Sequence, residues 1–316
     1  MLSLHIAQPF LDDDHFLLDF RFKYYTNPQR YFFGLGNNEQ GPQPASTNSF
    51  QDIFGYVTGG WRPTKHLALN VSVGIRNVHI GPGTQLNHCN ANVPCPRTQE
   101  EFPDLTGVNG GTVVPISLSL VWNDRDDYLR PTRGWRAIAK VIHSSNSLGN
   151  FEYTRLIGDL GYVWTFDEGR YGIGVRADGS YTQGPSNDIP YWSLPELGGN
   201  DTMRGFYPHR FLGKGRVLGN VEGRFLITEF DFFDLWHIKM DGVIFGDTGK
   251  VFLSASQALN EFNVDQQAIS PIVDHFRYSY GGGVRFALGK ALLARIDVGF
   301  SEEEKGLVYL SFGQTF

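Results

Sequence analysis

Phe276-Arg277-Tyr278-Ser279-Tyr280-Gly281-Gly282-Gly283-Val284-Arg285-Phe286-Ala287-Leu288 is a stretch with two faces. Phe276, Tyr278, Tyr280, Val284, Phe286 and Leu288 share one phase. Arg277, Ser279, Gly281, Gly283 and Arg285 share the other. A period of two sends successive side chains to opposite faces of a strand. The same period runs through Leu67–Ile75, Val114–Trp122, Tyr171–Tyr181 and Leu292–Phe300. Several runs reach ~10 residues or more, enough to cross a bilayer at a tilt, whereas strands of soluble sheets centre near ~5–6. The polar phase carries Arg, Asp, Glu and Gly, and the apolar phase ends in aromatics. That pattern predicts an all-β, antiparallel transmembrane β-barrel with lipid outside and a polar lumen inside. A soluble sandwich also alternates, and strand length argues against it.

Further strands are expected at Leu2–Pro9, His15–Tyr25, Gln51–Arg62, Trp135–Ser144, Tyr153–Phe166, Arg216–Thr228, His237–Phe252 and Gly306–Phe316, about thirteen in all. Short or moderate connections (Pro9–Asp14, Arg62–His66, Asp124–Gly134, Asp167–Arg170, Glu229–Trp236, Gly289–Lys290) alternate with another set. Four of that set, Thr26–Phe50, Gly81–Gly111, Gln183–Lys214 and Leu253–His275, are long. The long ones all fall on one side of the wall, the asymmetry of outer-membrane barrels.

Composition agrees. Mean hydropathy is −0.26, which by itself reads as soluble, and no run approaches the ~18 apolar residues of a membrane helix. A barrel escapes that test because only alternate residues face lipid. The 25 Phe, 14 Tyr and 38 Gly favour closely packed strands. A net charge of −6, spread along the chain, argues against a nucleic-acid partner. Met1 to Ile6 lacks a basic n-region and runs into Asp12, Asp13 and Asp14, so no signal peptide is visible, which conflicts with export.

Five stretches are more specific. Asp124-Arg125-Asp126 followed by Pro131-Thr132-Arg133-Gly134-Trp135 resembles the D-x-R-D…P-T-R-G-W stretch of the bacterial surface antigen barrel. That barrel is the membrane domain of the BamA/TamA-type assembly and translocation superfamily. Gly198-Gly199-Asn200-Asp201-Thr202-Met203-Arg204-Gly205-Phe206 resembles its sixth extracellular loop, with Met203 in place of the usual branched residue. Val221-Glu222-Gly223-Arg224-Phe225 and Phe245-Gly246-Asp247-Thr248-Gly249-Lys250-Val251 resemble the two strands after that loop. Tyr24-Tyr25 through Phe33-Gly34-Leu35-Gly36-Asn37 is similar to the family as well. The resemblance covers nearly the whole chain.

The resemblance implies that Arg204 folds back into the lumen onto acidic wall groups. Strand phase supplies candidates. Glu222 shares its phase with Asn220 and Arg224, and Asp247 with Lys239 and Asp241. A partly desolvated, bidentate contact to either is stronger than a surface pair, and Gly205 permits a tight turn. The alternative is a solvated loop tip above acids that line a wet pore. The last strand, with Val308, Leu310, Phe312 and Phe316 on one face, resembles an outer-membrane sorting signal.

Asp124 and Asp126 read as turn-capping groups rather than an acid–base pair. Gly281-Gly282-Gly283 lacks the Lys-Ser/Thr of a phosphate loop. It is expected to let strands bend or to admit a loop against the wall. Cys89 and Cys95, in a long loop, suit a local disulfide in an oxidising compartment, whereas a metal site with His88 lacks a further ligand. There is no G-x-S-x-G or H-E-x-x-H, so no enzyme activity and no cofactor are expected.

The family has roughly sixteen strands, and single-chain bacterial barrels have even numbers. Counting back from the Arg204 loop makes Leu2–Pro9 the fourth strand. Residues 1–316 are therefore expected to form one barrel domain of about twelve to thirteen strands, lacking its first strands, any POTRA modules and the signal peptide. The alternative is a shorter barrel of about twelve strands closed without Leu2–Pro9. The expected location is the bacterial outer membrane. The expected partners are its lipid and unfolded outer-membrane client proteins. The other functional reading is an anchor or passive pore whose active domain, such as a patatin-like lipase, is absent.

Overall fold

The computed structural model describes residues 2–10, 15–37, 44–83, 88–90, 93–127, 130–232, 236–253, 276–288 and 292–313. Among the described residues thirteen strands form one large sheet in chain order, each antiparallel to the next. They are β1 (Leu2–Phe10), β2 (Phe16–Phe32), β3 (Ser46–Trp61), β4 (Leu67–Pro82), β5, β6 (Arg133–Ser144), β7 (Tyr153–Phe166), β8 (Tyr171–Gln183), β9 (Gly215–Phe232), β10 (Trp236–Phe252), β11 (Arg277–Leu288), β12 (Leu292–Ser301) and β13 (Leu307–Phe312). β5 comes in two parts, Gly110–Val113 and Pro115–Asn123. Its register on β4 is continuous, Val113 facing Arg76 and Ile116 facing Val73. The break falls at Val114, just before Pro115, which has no N–H to give the ladder. Among the described residues no ladder joins β13 to β1.

The side-chain distribution reverses that of a water-soluble sheet. Val308 and Leu310 are each 70% exposed, while Arg295 and Asp297 on the neighbouring strand are 1% and 0% exposed. Apolar residues also cover the outside of β4, β5, β7 and β8, among them Ile75, Leu118, Leu160 and Ile173. A continuous apolar exterior with charges sealed within needs lipid as its solvent. No described helix is long and apolar enough to cross a membrane, which does not bear on strands.

Strand ends differ from the alternation at one margin. Thr26–Phe50 was expected to be a connection, yet β2 runs to Phe32 and β3 begins at Ser46. The register shifts between Asn27 and Arg30. A bulge at Asn27-Pro28 breaks the period, and the strand resumes beyond it. The wall curls so that distant strands meet. Arg277 of β11 donates to the Asn37 carbonyl just past β2 at 3.0 Å. Arg130, before β6, forms a bidentate pair with Asp241 of β10 at 3.0 and 2.9 Å.

The main apolar core lies at the long-loop end. Phe32, Phe50, Val78, Ile80, Leu105, Tyr153, Tyr191 and Trp192 pack there beneath the loops. A smaller cluster of Leu197, Met203, Phe206, Phe211, Leu218 and Val251 joins the loop between β8 and β9 to the inner wall.

Candidate functional site: a loop clamped inside the wall

The loop between β8 and β9 enters the lumen and ends on Arg204, which is fully buried. Its Nε and Nη2 donate to Asp247 Oδ2 and Oδ1 at 2.9 and 2.8 Å, and its Nη1 donates to Glu222 Oε1 at 2.6 Å. Its backbone N–H also donates to Asp247 Oδ2 at 3.0 Å. The guanidinium lies 3.6 Å from the centre of the Phe245 ring, a cation–π contact. Burial works against the Arg204 charge, but Asp247 and Glu222 outweigh it and hold the group above its ordinary pKa.

The acids are shared. Glu222 also accepts from Arg224 at 3.0 Å and from Arg285 at 3.3 Å, and Arg285 donates to Asp297 at 2.6 Å. Asn220 bridges Asp247 Oδ1 and the Thr202 carbonyl, both at 2.8 Å. Three guanidiniums thus meet three carboxylates, which is why this charge can stay buried. Strand register assembles the set. Asn220 pairs with Asp247 across β9–β10, and Gly283, two residues before Arg285, pairs with Asp297 across β11–β12.

Backbone approach completes the seat. Gly205 has φ +92°, and a Cβ there would lie 2.8 Å from the Phe300 carbonyl oxygen. A Cβ on Gly299 would lie 2.4 Å from the Gly205 nitrogen. The loop therefore presses on Gly299 rather than on Gly281–Gly283, for which the sequence left a strand bend or a loop contact open. A Cβ on Gly281 would instead meet the Phe245 ring at 2.5 Å, so that glycine makes room for the ring beneath Arg204.

The last strands hold the loop as well. Gly205 N–H donates to the Tyr309 hydroxyl at 3.0 Å, which donates to the Phe206 carbonyl at 2.8 Å. Ser301 donates to the Gly205 carbonyl at 2.7 Å. Arg295 reaches Asp201 at 2.9 Å, and Arg210 forks onto Glu303 at 2.7 Å with both nitrogens. At the loop base, His209 lies 2.5 Å from Glu196. Burial pushes the Glu196 carboxyl up, but His209, Arg30 and Arg216 overcome this and hold it at about 2.

Of the residues singled out from sequence, Arg204, Gly205, Glu222 and Asp247 meet in this cluster. Phe206 packs beside it, and Gly249 leaves room for Leu197 and Met203, either of which a Cβ would approach to 2.9 Å. Asp124, Arg125, Asp126, Pro131, Gly134 and Trp135 form a turn at the opposite end. Asp124 accepts from the Trp135 N–H, and Asp126 from Thr132 N–H at 2.8 Å and Arg133 N–H at 3.2 Å. Gly134, with φ +118°, lies where a Cβ would strike the Arg125 backbone at 2.7 Å. Phe312 faces outward, and Phe316 lies outside the described residues. Cys89 and Cys95 form a disulfide in a small hairpin. Tyr309, Ser301 and Gly299 were missed as loop partners. Tyr309 lies on the polar phase between Val308 and Leu310, so phase could have placed it in the lumen. Nothing in the sequence pairs Arg210 with Glu303.

A long antiparallel wall, apolar outside and charged inside, with a loop arginine locked into its lumen, defines a membrane β-barrel of the outer-membrane type. The Omp85 superfamily domain matches residues 112–316. The chain belongs to the Omp85 superfamily. Its fold is similar to that in the crystal structure of BamA from Haemophilus ducreyi lacking POTRA domains 1–3, with a TM-score of 0.64 at 12% identity. The match covers 98% of this chain and 60% of that one, so the chain spans about three fifths of the BamA chain's length. No curated protein sequence matches the chain.

Proposed function

We propose that residues 1–316 form the outer-membrane wall of an assembly or translocation barrel, with bilayer lipid and unfolded outer-membrane proteins as partners. The observation that carries the reading is the clamp. Arg204 ties the internal loop to β9 and β10, and Tyr309 and Arg295 tie it to β13 and β12. Holding the loop there stiffens the C-terminal half of the wall up to its last strand. β13, paired among the described residues only with β12, offers backbone groups that a client strand can bond. No covalent chemistry is needed, and no catalytic group is assigned.

The test is reconstitution into phospholipid vesicles. An unfolded outer-membrane barrel is added and its folding is followed by the band shift between unheated and boiled samples. Faster client folding than in protein-free vesicles supports the proposal. An unchanged rate, with this chain itself folded and protease-resistant, refutes it and leaves the anchor or passive-pore reading.

A further inference from the structure

The other half of the lumen carries charge that its own wall does not neutralise. A cavity of about 340 Å³ is lined by Lys23 of β2, Arg76 of β4, Lys140 of β6 and Arg155 of β7, with Asp52 of β3 as its one carboxylate. That is four cations against one acid. Asp52 is already engaged, accepting from Arg76 Nε and Nη2, each at 3.0 Å.

None of the remaining three cations forms an ion pair with a carboxylate among the described residues; Glu196 acts on Arg155 only from farther away. Arg155 donates from Nε to the Thr182 hydroxyl at 3.0 Å. Its Nη2 is buried without a hydrogen-bond partner among them. An unpaired buried guanidinium N–H is costly, and native structures seldom leave one without an acceptor. Lys140 stands diagonal to it on the same inner face, since Arg155 pairs with Ile142 across β6–β7. That puts two like-charged side chains on strand positions roughly 7–8 Å apart, close enough to repel in the absence of an anion. Lys23 lies over the Tyr25 ring at 5.6 Å. Hydroxyls of Ser117 and Tyr56 line the same space. Converging cations with hydroxyls beside them are suited to the several acceptor oxygens of an oxyanion.

We propose that this cavity binds a phosphate group, held chiefly by Arg155 and Lys140 with Lys23 and Arg76 around it. A phosphate carries several charges and acceptors, which suit three cations that make no ion pair of their own among the described residues. The group can arrive as free phosphate or pyrophosphate, or as the phosphomonoester headgroup of a lipid.

The experiment uses the protein refolded in a phosphate-free maltoside detergent. Binding of inorganic pyrophosphate is followed by calorimetry, and the thermal midpoint is read with and without it. The expected result is saturable, salt-sensitive binding that weakens at least tenfold in Lys140→Gln/Arg155→Gln. Lys305→Gln, an exposed position elsewhere, should bind like wild type. Pyrophosphate should raise the wild-type midpoint and leave that of the double variant unmoved. The double variant loses a repulsion together with the Arg155–Thr182 bond and the contact over Tyr153, so its midpoint in pyrophosphate is compared with its own midpoint without ligand. A parallel series with phosphatidic acid in the micelle separates the sources: competition with pyrophosphate identifies a headgroup, and its absence identifies the free anion. Unsaturable binding of both probes, or equal binding by wild type and double variant, overturns the proposal.

Discussion

Replacing Arg204 by alanine removes three side-chain hydrogen bonds at once, two to Asp247 and one to Glu222. The two acids fare differently. Glu222 keeps Arg224 and Arg285. Asp247 keeps Asn220 and the backbone N–H of residue 204, and no guanidinium among the described residues. The cluster passes from three charges of each sign to an excess of one negative, sealed from water. Removing one partner of a buried pair costs ~3–5 kcal/mol, and loss of the contact over Phe245 adds roughly 0.5–2 kcal/mol. The neighbours that remain on Glu222 argue for the lower part of the combined range. We therefore expect Arg204→Ala to destabilise the folded barrel by about 3–5 kcal/mol. The assay is equilibrium unfolding by denaturant in lipid vesicles, read by tryptophan fluorescence, with the midpoint falling and the slope unchanged. Asp247→Asn should cost less in the Arg204→Ala background than in wild type, by at least ~1 kcal/mol of coupling. Arg204→Lys should rescue only partly, because an ammonium keeps the charge and loses the fork. A loss below ~1 kcal/mol, or strictly additive variants, would refute the claim that the buried pair seats the loop.

Gly299→Val should unseat the same loop sterically, because even a Cβ there meets the Gly205 nitrogen at 2.4 Å; protease sensitivity of the 198–212 segment should rise although no charge has changed. Tyr309→Phe removes one acceptor and one donor that tie β13 to the loop. It should cost ~1–3 kcal/mol and speed hydrogen exchange at Gly205, and wild-type exchange would contradict the tie. At the opposite turn, burial pushes the Asp126 carboxyl up, but hydrogen bonds from Thr132 and Arg133 outweigh it and hold the pKa below the ordinary value. A depressed folded-state pKa gives stability that is present above the unfolded value of ~4 and is lost as pH falls through the folded one. The stability gap between wild type and Asp126→Asn should therefore be largest near neutrality and shrink on acidification below about pH 4, as followed by unfolding at a series of pH values; a gap independent of pH would contradict this.

The wall was legible because its signal is repeated and local. Period two fixes which residues share a face wherever a strand is regular, so Tyr278 and Val308 could be assigned outward and Arg295 and Asp297 inward from spacing alone. The signal lapsed where the backbone left that period. The bulge after Asn27 hid the last turn of β2, and Pro115 split β5 without shifting its register. The site was legible only in part. Phase put Glu222 and Asp247 in the lumen, and the family motif put Arg204 near them. Which glycine receives the loop depends on how the sheet curls, a long-range property that no local pattern carries. Gly281–Gly283 and Gly299 look alike in sequence, and the curl of the wall brings Gly299 under Gly205. The contact of Arg210 with Glu303 spans 93 residues and belongs to the same class.

The two halves of the lumen solve one electrostatic problem in opposite ways. Charges on the inner wall cannot be left alone once the lumen fills, because the penalty for an unpaired buried ion exceeds what packing returns. In the C-terminal half the chain brings its own counter-charge: Arg204 arrives on a loop, meets Asp247 and Glu222, and the six groups balance. In that half the same loop is also tied to β12 and β13. Across the lumen, Lys23, Lys140 and Arg155 line a cavity without forming an ion pair among the described residues. Their balance has to come from solvent or a ligand, so the occupancy of that cavity can change while the clamp stays fixed. A wall with one self-neutralised half and one that requires an external anion can respond to what enters it without losing the loop that holds its last strands. This separation predicts that Arg204→Ala and Lys140→Gln/Arg155→Gln affect stability independently. Combined in one chain, their effects should add to within ~0.5 kcal/mol; a larger coupling would mean that the clamp and the cavity act as one network.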